Sequence, residues 1–462
     1  MARISAIYLH PGFCRFFEKP ILELARRGHD VSIVFLGLKK KKSGGFEGEE
    51  IVRTWSAEGR IHMVFPDKLP KDLFGSAKRQ AFFYALRSAV DFARYFHPRY
   101  REAGLLRERA FEAVEPRGWA KFVKGVYSAL PWAVIQLLQK ALLKFDELIA
   151  PPEKFVALVR SLKPDCVLFA PYVDLGSQLT DVVKTGRRLH IPSILTVASW
   201  DNLTNKGLVK LHPDWVFVWN ESQRAEASAF HKLPKGKVVP LGAPSFEDWF
   251  DFTPSQSRES FLAKLGLDPS KKTLLYLGSS PFIAPQEVDF FLRWRETVRK
   301  SGAFGDFQIL LRPHPQNFKQ WLAVDERGLQ DVVVFPKQGA FVVDSDSRRD
   351  FFESLYYCDA VVGINTSSMI EANILGKPVF TILDPLFSGT QEGTLHFSYL
   401  TSLKFVQQAA SLEEHSHQLN RTLSEIERAE NQNVHAFLWP DKSDKPSRLI
   451  ASKVETIATG AP

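Results

Sequence analysis

Ile309-Leu310-Leu311-Arg312-Pro313-His314-Pro315 and, further on, Ala360-Val361-Val362-Gly363-Ile364-Asn365-Thr366-Ser367-Ser368 decide how this sequence of 462 residues folds. In each, an apolar run stops abruptly at polar residues. Unbroken apolar runs of this kind predict strands buried on both faces, as in parallel sheets covered by helices. The second run leads into Met369-Ile370-Glu371-Ala372, which opens a helix. Open α/β sheets bind ligands where their strands run out. The two ends bring a guanidinium, an imidazole, three hydroxyls and a helix N-terminus to such an edge. That set suits a diphosphate.

The same rhythm runs through both halves of the chain. Ile4 to Leu9 is an apolar run broken by His10-Pro11-Gly12, and Pro20 to Arg27 has helical spacing with Gly28 as its stop. With Val31 to Phe35 these make a β-α-β opening. Strands are predicted over Cys166 to Ala170, Ser193 to Val197 and Trp215 to Trp219, with a helix over Ser177 to Gly186. Val238 to Pro244 closes this half, and a linker follows near 245–256. From Ser257 the pattern restarts, with strands over Thr273 to Leu277, Gln308 to Leu311, Val332 to Phe335, Ala360 to Ile364 and Pro378 to Leu383. Helices over 411–429 and Arg448 to Ile457 complete the chain. The expected fold class is α/β: two Rossmann-like, doubly wound domains facing a cleft. The first spans 1–245 and the second 257–440, with a connector and final helix at 441–462 packing back toward the first.

Residues 66–150 interrupt this rhythm with a helical, aromatic and basic insert. It holds 15 Lys/Arg against 9 Asp/Glu, so most of the net charge of +8 lies there. Within 121–143, Lys121, Lys124 and Lys140 combine with Val126, Leu130, Trp132, Val134, Ile135, Leu137 and Leu138, and Pro131 divides the stretch. Such a segment suits an anionic membrane surface, or equally a cap on the first domain. The run Lys39 to Lys42 adds further charge. No nucleic-acid module accompanies the basic surface, so nucleic acid is not an expected partner. Three widely spaced cysteines, Cys14, Cys166 and Cys358, show neither a disulfide framework nor metal spacing. The first apolar run is too short for a signal peptide, and no stretch reaches the roughly 18–20 apolar residues of a membrane span. The expected location is therefore cytoplasmic, peripheral on the inner face of the membrane if the insert binds lipid.

Candidate site residues follow from strand ends and the loops after them. Arg312 and His314, aimed by two prolines, together with Thr366, Ser367 and Ser368, are the expected phosphate ligands. Gly278 and Ser279 follow the first strand of the second domain and allow close backbone approach. Glu371 either completes a capping box with Ser368 or accepts from ribose hydroxyls, the second being preferred. Gln391, Glu392 and His396 lie in the polar, glycine-containing loop Asp384 to His396, which suits recognition of sugar hydroxyls. Asp344-Ser345-Asp346 reads as a helix start rather than a metal site. No metal or cofactor is expected.

At Arg312-Pro313-His314-Pro315 and at Thr366-Ser367-Ser368 with Glu371, the chain resembles the GT-B superfamily of nucleotide-sugar glycosyltransferases and their relatives. The nearest branches are the capsule-type transferases, the CDP-glycerol glycerophosphotransferases, the sialyltransferases with a His-Pro motif and the hydrolysing UDP-N-acetylglucosamine 2-epimerases. Ser199-Trp200-Asp201-Asn202-Leu203-Thr204 and Val239 to Pro244 are similar to late first-domain loops of that group. The resemblance does not cover 66–150. It implies a nucleotide-sugar donor on the second domain, with His314 on its phosphate, and a glycan or lipid-linked acceptor on the first. Transfer would serve cell-surface glycan synthesis without an obligatory metal. The catalytic base is sought on first-domain loops at Asp201, then His10, then Asp174. A 2-epimerase-like isomerase and a catalytically silent nucleotide-sugar binder stay open as alternatives.

Overall fold

A computed structural model describes residues 1–40, 45–302, 306–326, 328–340, 342, 344–424, 432–441 and 443–460. Lys41 and Lys42 of the basic run, and 425–429 of the expected late helix, lie outside them. The chain divides into two compact units: Met1–Glu247 with Phe437–Pro462, and Asp248–Ala436.

The first unit carries a seven-stranded sheet: β1 (Arg3–Tyr8), β2 (Asp30–Phe35), β3 (Ile61–Val64), β4 (Cys166–Ala170), β5 (Ser193–Thr196), β6 (Trp215–Val218) and β7 (Val238–Pro240). Their order is β3-β2-β1-β4-β5-β6-β7, and every pairing is parallel. Every residue of β4 and β5 is buried, because parallel strands need crossover helices that cover both faces. One face packs Tyr8, Phe35 and Trp55 with Ile450, Ala451 and Val454 of the last helix, Pro446–Thr459. The other packs Ile7, Phe155, Phe169 and Val216. Each such large side chain contributes about 1.5–3 kcal/mol when fully buried. The last helix is further tied by Arg27 Nη1 donating to Ser452 Oγ (2.7 Å) and Ser447 Oγ donating to Glu247 Oε2 (2.9 Å).

The insert forms four α-helices, Ala77–Ala93, Gly104–Glu112, Arg117–Ala129 and Trp132–Leu148, so Pro131 separates two helices where one interrupted stretch was read. Buried charges tie its helices to one another and to the segments that follow β4 and β5. Arg87 pairs with Asp146 (2.8 Å) and Asp181 (3.1 Å), and Asp91 takes Lys210 Nζ (2.8 Å) and the backbone N–H groups of Gly176 and Leu208. Removing one member of such a pair leaves an uncompensated buried charge, at a cost of about 3–5 kcal/mol.

The second unit carries β8 (Lys272–Leu277), β9 (Phe307–Arg312), β10 (Val332–Val334), β11 (Ala360–Gly363), β12 (Val379–Ile382) and β13 (Gln407–Ala409). They pair in parallel in the order β10-β9-β8-β11-β12-β13. In both units the order reverses beside the first strand, between β1 and β4 and between β8 and β11. These are the topological switch points, where the loops beyond the strand ends part and leave room for a ligand. The short strands β3 and β13 were not foreseen.

Candidate active site at the strand ends

In the second unit the switch point is built from the ends of β8, β9 and β11. Gly278 donates its backbone N–H to Arg312 O (2.9 Å), and a Cβ there would lie 3.1 Å from Trp321 Nε1 and 3.3 Å from Arg312 O and His314 N. A side chain there would push these neighbours back by a few tenths of an ångström. Asn317 donates from Nδ2 to Ser279 O (3.0 Å) and Ala284 O (2.9 Å), pinning the His314 turn to the loop after β8.

His314 is half-buried, and its Nδ1 accepts from the backbone N–H of Gln316 (3.2 Å). That bond assigns the proton of the neutral ring to Nε2, which is thereby a donor. Burial lowers the imidazole to about 4. At neutral pH His314 is therefore a neutral hydrogen-bond donor on a stiff turn.

After β11, Ser367 stands at the N-cap of the helix Ser368–Ile374 without a side-chain capping bond. The capping box that Ser368 and Glu371 offered as the alternative to a ribose role does not form, because the N-cap is Ser367. Instead Thr366 Oγ1 accepts weakly from Ser368 N–H (3.4 Å), Ser367 is exposed, and Thr366 and Ser368 are half-buried. Three hydroxyls thus crowd the start of a helix whose first N–H groups are held locally, Met369 on Thr366 O (3.2 Å) and Ile370 on Ser367 O (2.8 Å), so the hydroxyls are the donors on offer. Glu371 is half-buried in the first turn of that helix. Asn365 is buried, its Nδ2 bound to Thr390 O (3.0 Å).

Three expected ligands are placed otherwise. The Arg312 guanidinium is buried and donates from Nη1 to Ser354 Oγ (2.7 Å) and Asp350 O (3.1 Å), with Phe351 and Phe335 against its plane. Burial lowers it to about 10. It braces the helix Ser345–Tyr357 against β9 and is not presented as a phosphate fork. Ser279 is buried and spent on Glu287, with its N–H on Oε2 (2.8 Å) and its hydroxyl on Oε1 (3.2 Å). The Gln391 amide is also buried, and its Nε2 donates to Ile364 O, Ile382 O and Thr381 Oγ1 at 3.0–3.1 Å. It clips the ends of β11 and β12 and is withdrawn from sugar recognition. Of its neighbours, Glu392 is exposed and His396 buried. Thr390 Oγ1 donates to Ile283 O (2.6 Å), so this loop is stitched to the loop after β8.

Glu287 was not foreseen. It is fully buried, accepts from Tyr276 OH (3.0 Å) as well as from Ser279, and burial raises it to about 7. No counter-charge is among the causes of that shift. Its partners come from β8 and the following loop, so nothing local to Pro285-Gln286-Glu287 signals the cluster. The Asp344 carboxylate accepts from Ser347 N–H (2.9 Å) and closes a capping box, as a helix start requires.

In the first unit, His10 follows β1 and repeats the His314 turn: Nδ1 accepts from Gly12 N–H (3.2 Å), and the ring lies 4.7 Å from Phe13. Burial lowers its pKa, with Glu47 opposing and Lys39 and Arg15 reinforcing the shift. Asp174 lies beyond β4, across the switch point from β1. Burial raises its pKa against the pull of Lys206 and Lys210, and Asp91 and Asp201 raise it further. Asp201 precedes the short helix Asn202–Asn205, half-buried, and accepts from Asn202 Nδ2 (3.4 Å). A carboxylate with a raised pKa beside a second one is the usual setting of a general base.

No protein-family model matches this sequence, and no curated protein matches it. Solved structures do. Over 99% of its length, and 98% of the other chain, it is similar to a glycosyltransferase from Rickettsia africae ESF-5, at 11% identity and a TM-score of 0.53. The UDP-GlcNAc 2-epimerase of Methanocaldococcus jannaschii, in complex with UDP-GlcNAc and UDP, matches at 11% identity and a TM-score of 0.53 over 99% of both chains. The fold is GT-B. A third structure of this fold, WaaG, a glycosyltransferase involved in lipopolysaccharide biosynthesis, matches at 14% identity and a TM-score of 0.50 over 99% of this chain and 100% of its own. The GT-B likeness spans transferases and epimerases alike, so it speaks for architecture and leaves the reaction to the site.

Proposed function

We propose that this protein is a glycosyltransferase that takes its sugar from a nucleotide-activated donor. The observation that carries this reading is the second-unit switch point. There the His314 Nε2–H stands on one strand end, and the hydroxyls of Thr366, Ser367 and Ser368 crowd a helix start on another. Preorganised donors of this kind stabilise an oxyanion as charge develops on it. The departing group would be the nucleotide's terminal phosphate, with Glu371 on the ribose. The bond from the anomeric carbon to the phosphate oxygen breaks, a bond to the acceptor oxygen forms, and the acceptor proton passes to a first-unit base. Asp174 joins Asp201 as a candidate for that role, ahead of His10. Glu392 and His396 are kept as candidate sugar contacts.

The reaction is proposed to need no metal, and full turnover in excess EDTA is the expected result. Incubation with UDP-, GDP-, CMP- and CDP-linked sugars, following nucleotide release, tests the function itself. Release with one donor supports transfer or hydrolysis. Isomerised sugar would favour the second reading, an epimerase, which the likeness to the UDP-GlcNAc-bound M. jannaschii enzyme keeps in play. Neither product with any donor would point to a silent binder.

A glycan or lipid-linked acceptor, made for the cell surface, is proposed for the first unit. No helix among the described residues is long and apolar enough to cross a membrane. The insert, however, exposes Phe122 (62%), Leu137 (64%) and Leu148 (73%), with Phe82 and Phe145 in contact at 6.2 Å, near the exposed Lys121, Lys140 and Lys144. Apolar side chains rimmed by lysine favour peripheral attachment to anionic lipid on the cytoplasmic face. Flotation with vesicles that contain or lack phosphatidylglycerol checks this; equal recovery in the soluble fraction counts against it.

A further inference from the structure

A cavity of about 220 Å³ lies in the first unit, where the insert meets the segment Leu208–His212 and the end of the helix Glu221–His231. These segments lead into the starts of β6 and β7. The lining of the cavity includes the cations Arg94, Lys140, Lys210 and Lys232, and no Asp or Glu.

Arg94 is the decisive group. It is buried, and its hydrogen bonds go only to neutral acceptors: Tyr100 OH (2.9 Å), Lys206 O (2.8 Å), Gly207 O (2.9 Å) and Leu203 O. Among the described residues no carboxylate lies within ion-pairing distance of it. The nearby carboxylate of Asp91 is already engaged by Lys210 and two backbone N–H groups. A buried charge without a counter-ion is costly, and an anion in the adjoining cavity would offset that cost.

The other walls say what kind of anion fits. His97 Nδ1 accepts from Arg99 N–H (3.1 Å), which leaves its Nε2–H as a donor, and its ring lies 5.0 Å edge-on from Trp132. Trp132, Phe230 and Leu143 supply apolar surface. His97 is held neutral by burial and then by Arg99, Lys232 and Arg94, which marks the region as electropositive. His231 is satisfied internally, through Val209 N–H at 3.0 Å and Leu203 O at 2.8 Å. Lys140 is exposed at the rim, and Lys232 is exposed beside it.

We propose that this cavity binds a phosphate group carried on a small flat or apolar body, with Lys140, Lys232 and His97 on the oxyanion and Trp132 against the body. The phosphate could belong to a free metabolite or to a lipid headgroup. The site lies wholly in the first unit and does not depend on donor binding by the second. Arg94 also clamps the carbonyls of Leu203, Lys206 and Gly207, just after Asp201, so occupancy would stiffen that loop.

Calorimetric titration of the full chain with phenyl phosphate tests the proposal. We expect saturable binding, tighter than for inorganic phosphate and weakened by salt. Lys140→Gln with Lys232→Gln should weaken it at least tenfold, and Trp132→Ala should bring it down to the level of inorganic phosphate. Gln is chosen because Lys232 takes a left-handed conformation (φ 59°). Melting curves matched to wild type confirm that the variants fold. His314→Ala should leave phenyl phosphate binding unchanged, which separates this site from the nucleotide site. In flotation with phosphatidylglycerol vesicles, retention that is lost in the lysine variant and reversed by phenyl phosphate assigns the headgroup as the source. Retention unaffected by either, with phenyl phosphate binding intact, assigns a free metabolite. No binding of phenyl phosphate, equal binding by the lysine variant, or loss in His314→Ala overturns the proposal.

Discussion

Two turns of the same design end in different chemistry. His10-Pro11-Gly12 follows β1 of the first unit, and His314-Pro315-Gln316 follows β9 of the second. In each, Nδ1 accepts from the backbone N–H two residues on, at 3.2 Å, so that Nε2 carries the proton of the neutral ring. Their surroundings differ. Around His10 the field has both signs, from Glu47 on one side and Lys39 and Arg15 on the other, with Lys39 Nζ 2.9 Å from Glu47 Oε2. Around His314 burial alone accounts for the shift. One turn therefore holds a fixed neutral donor, while the other sits among charges that a bound substrate could rearrange. A His-Pro turn fixes the tautomer; the packing around it decides whether the ring also titrates.

The comparison breaks most sharply in turnover. If the first unit supplies the base and the second grips the leaving group, Asp174→Asn should lower kcat by about 10²–10⁴-fold while nucleotide affinity stays unchanged. The acid limb of the wild-type pH profile should sit above the ordinary carboxylate range, because burial raises Asp174, and it should vanish in the variant. Asp201→Asn in parallel distinguishes the two carboxylates.

A smaller effect is expected from the histidines. His314→Ala should weaken nucleotide diphosphate binding about tenfold or more, since a hydrogen bond to a charged group contributes roughly 1.5–3 kcal/mol. His10→Ala should leave that binding unchanged by calorimetry. Equal losses would mean that the two turns are not specialised.

Arg312 sharpens the picture within the second unit. Arg312→Met should destabilise that unit by about 1–3 kcal/mol, by removing the bonds to Ser354 and Asp350, while nucleotide affinity is retained. Urea unfolding and nucleotide titration on the same samples check both parts.

The smallest effect is that of pH on binding. With His314 at about 4 in the folded protein and near 6.5 when unfolded, its ring stays neutral on binding, and the ratio of wild-type to His314→Ala nucleotide affinity should be flat from pH 8 to pH 5. Stability should behave differently. Below about pH 6.5 the unfolded chain takes up the proton first, so the contribution of His314 is lost progressively toward pH 4.

The frame of both sheets was legible because buried parallel strands are written as apolar runs, and Cys166–Ala170 is observed with the bounds read from sequence. The edge strands were not. Gln407-Gln408-Ala409 is short and only partly buried, and its pairing with β12 is set by position rather than by composition. The positions of His314 and of the hydroxyls after β11 followed from the strands they end. The fate of Arg312 did not. It is the last residue of β9, and its acceptors, Asp350 and Ser354, lie on a helix distant in sequence. Gln391 and Ser279 failed for the same reason, since a loop amide or hydroxyl looks free until the strand-end carbonyl or buried carboxylate that captures it is known. Glu287 is the converse, a plain glutamate in sequence made unusual by Tyr276 and Ser279.

The central claim is that the second-unit strand ends hold a nucleotide diphosphate through a neutral His314. Imidazole ¹⁵N spectra of the histidine-labelled protein, assigned with His314→Ala and titrated with UDP, GDP and CDP, test it most directly. The account predicts that His314 is the Nε2–H tautomer at pH 7 and that this nitrogen shifts saturably with one of the nucleotides. A His314 signal that is charged at pH 7, or that stays still while a nucleotide binds elsewhere, would contradict it.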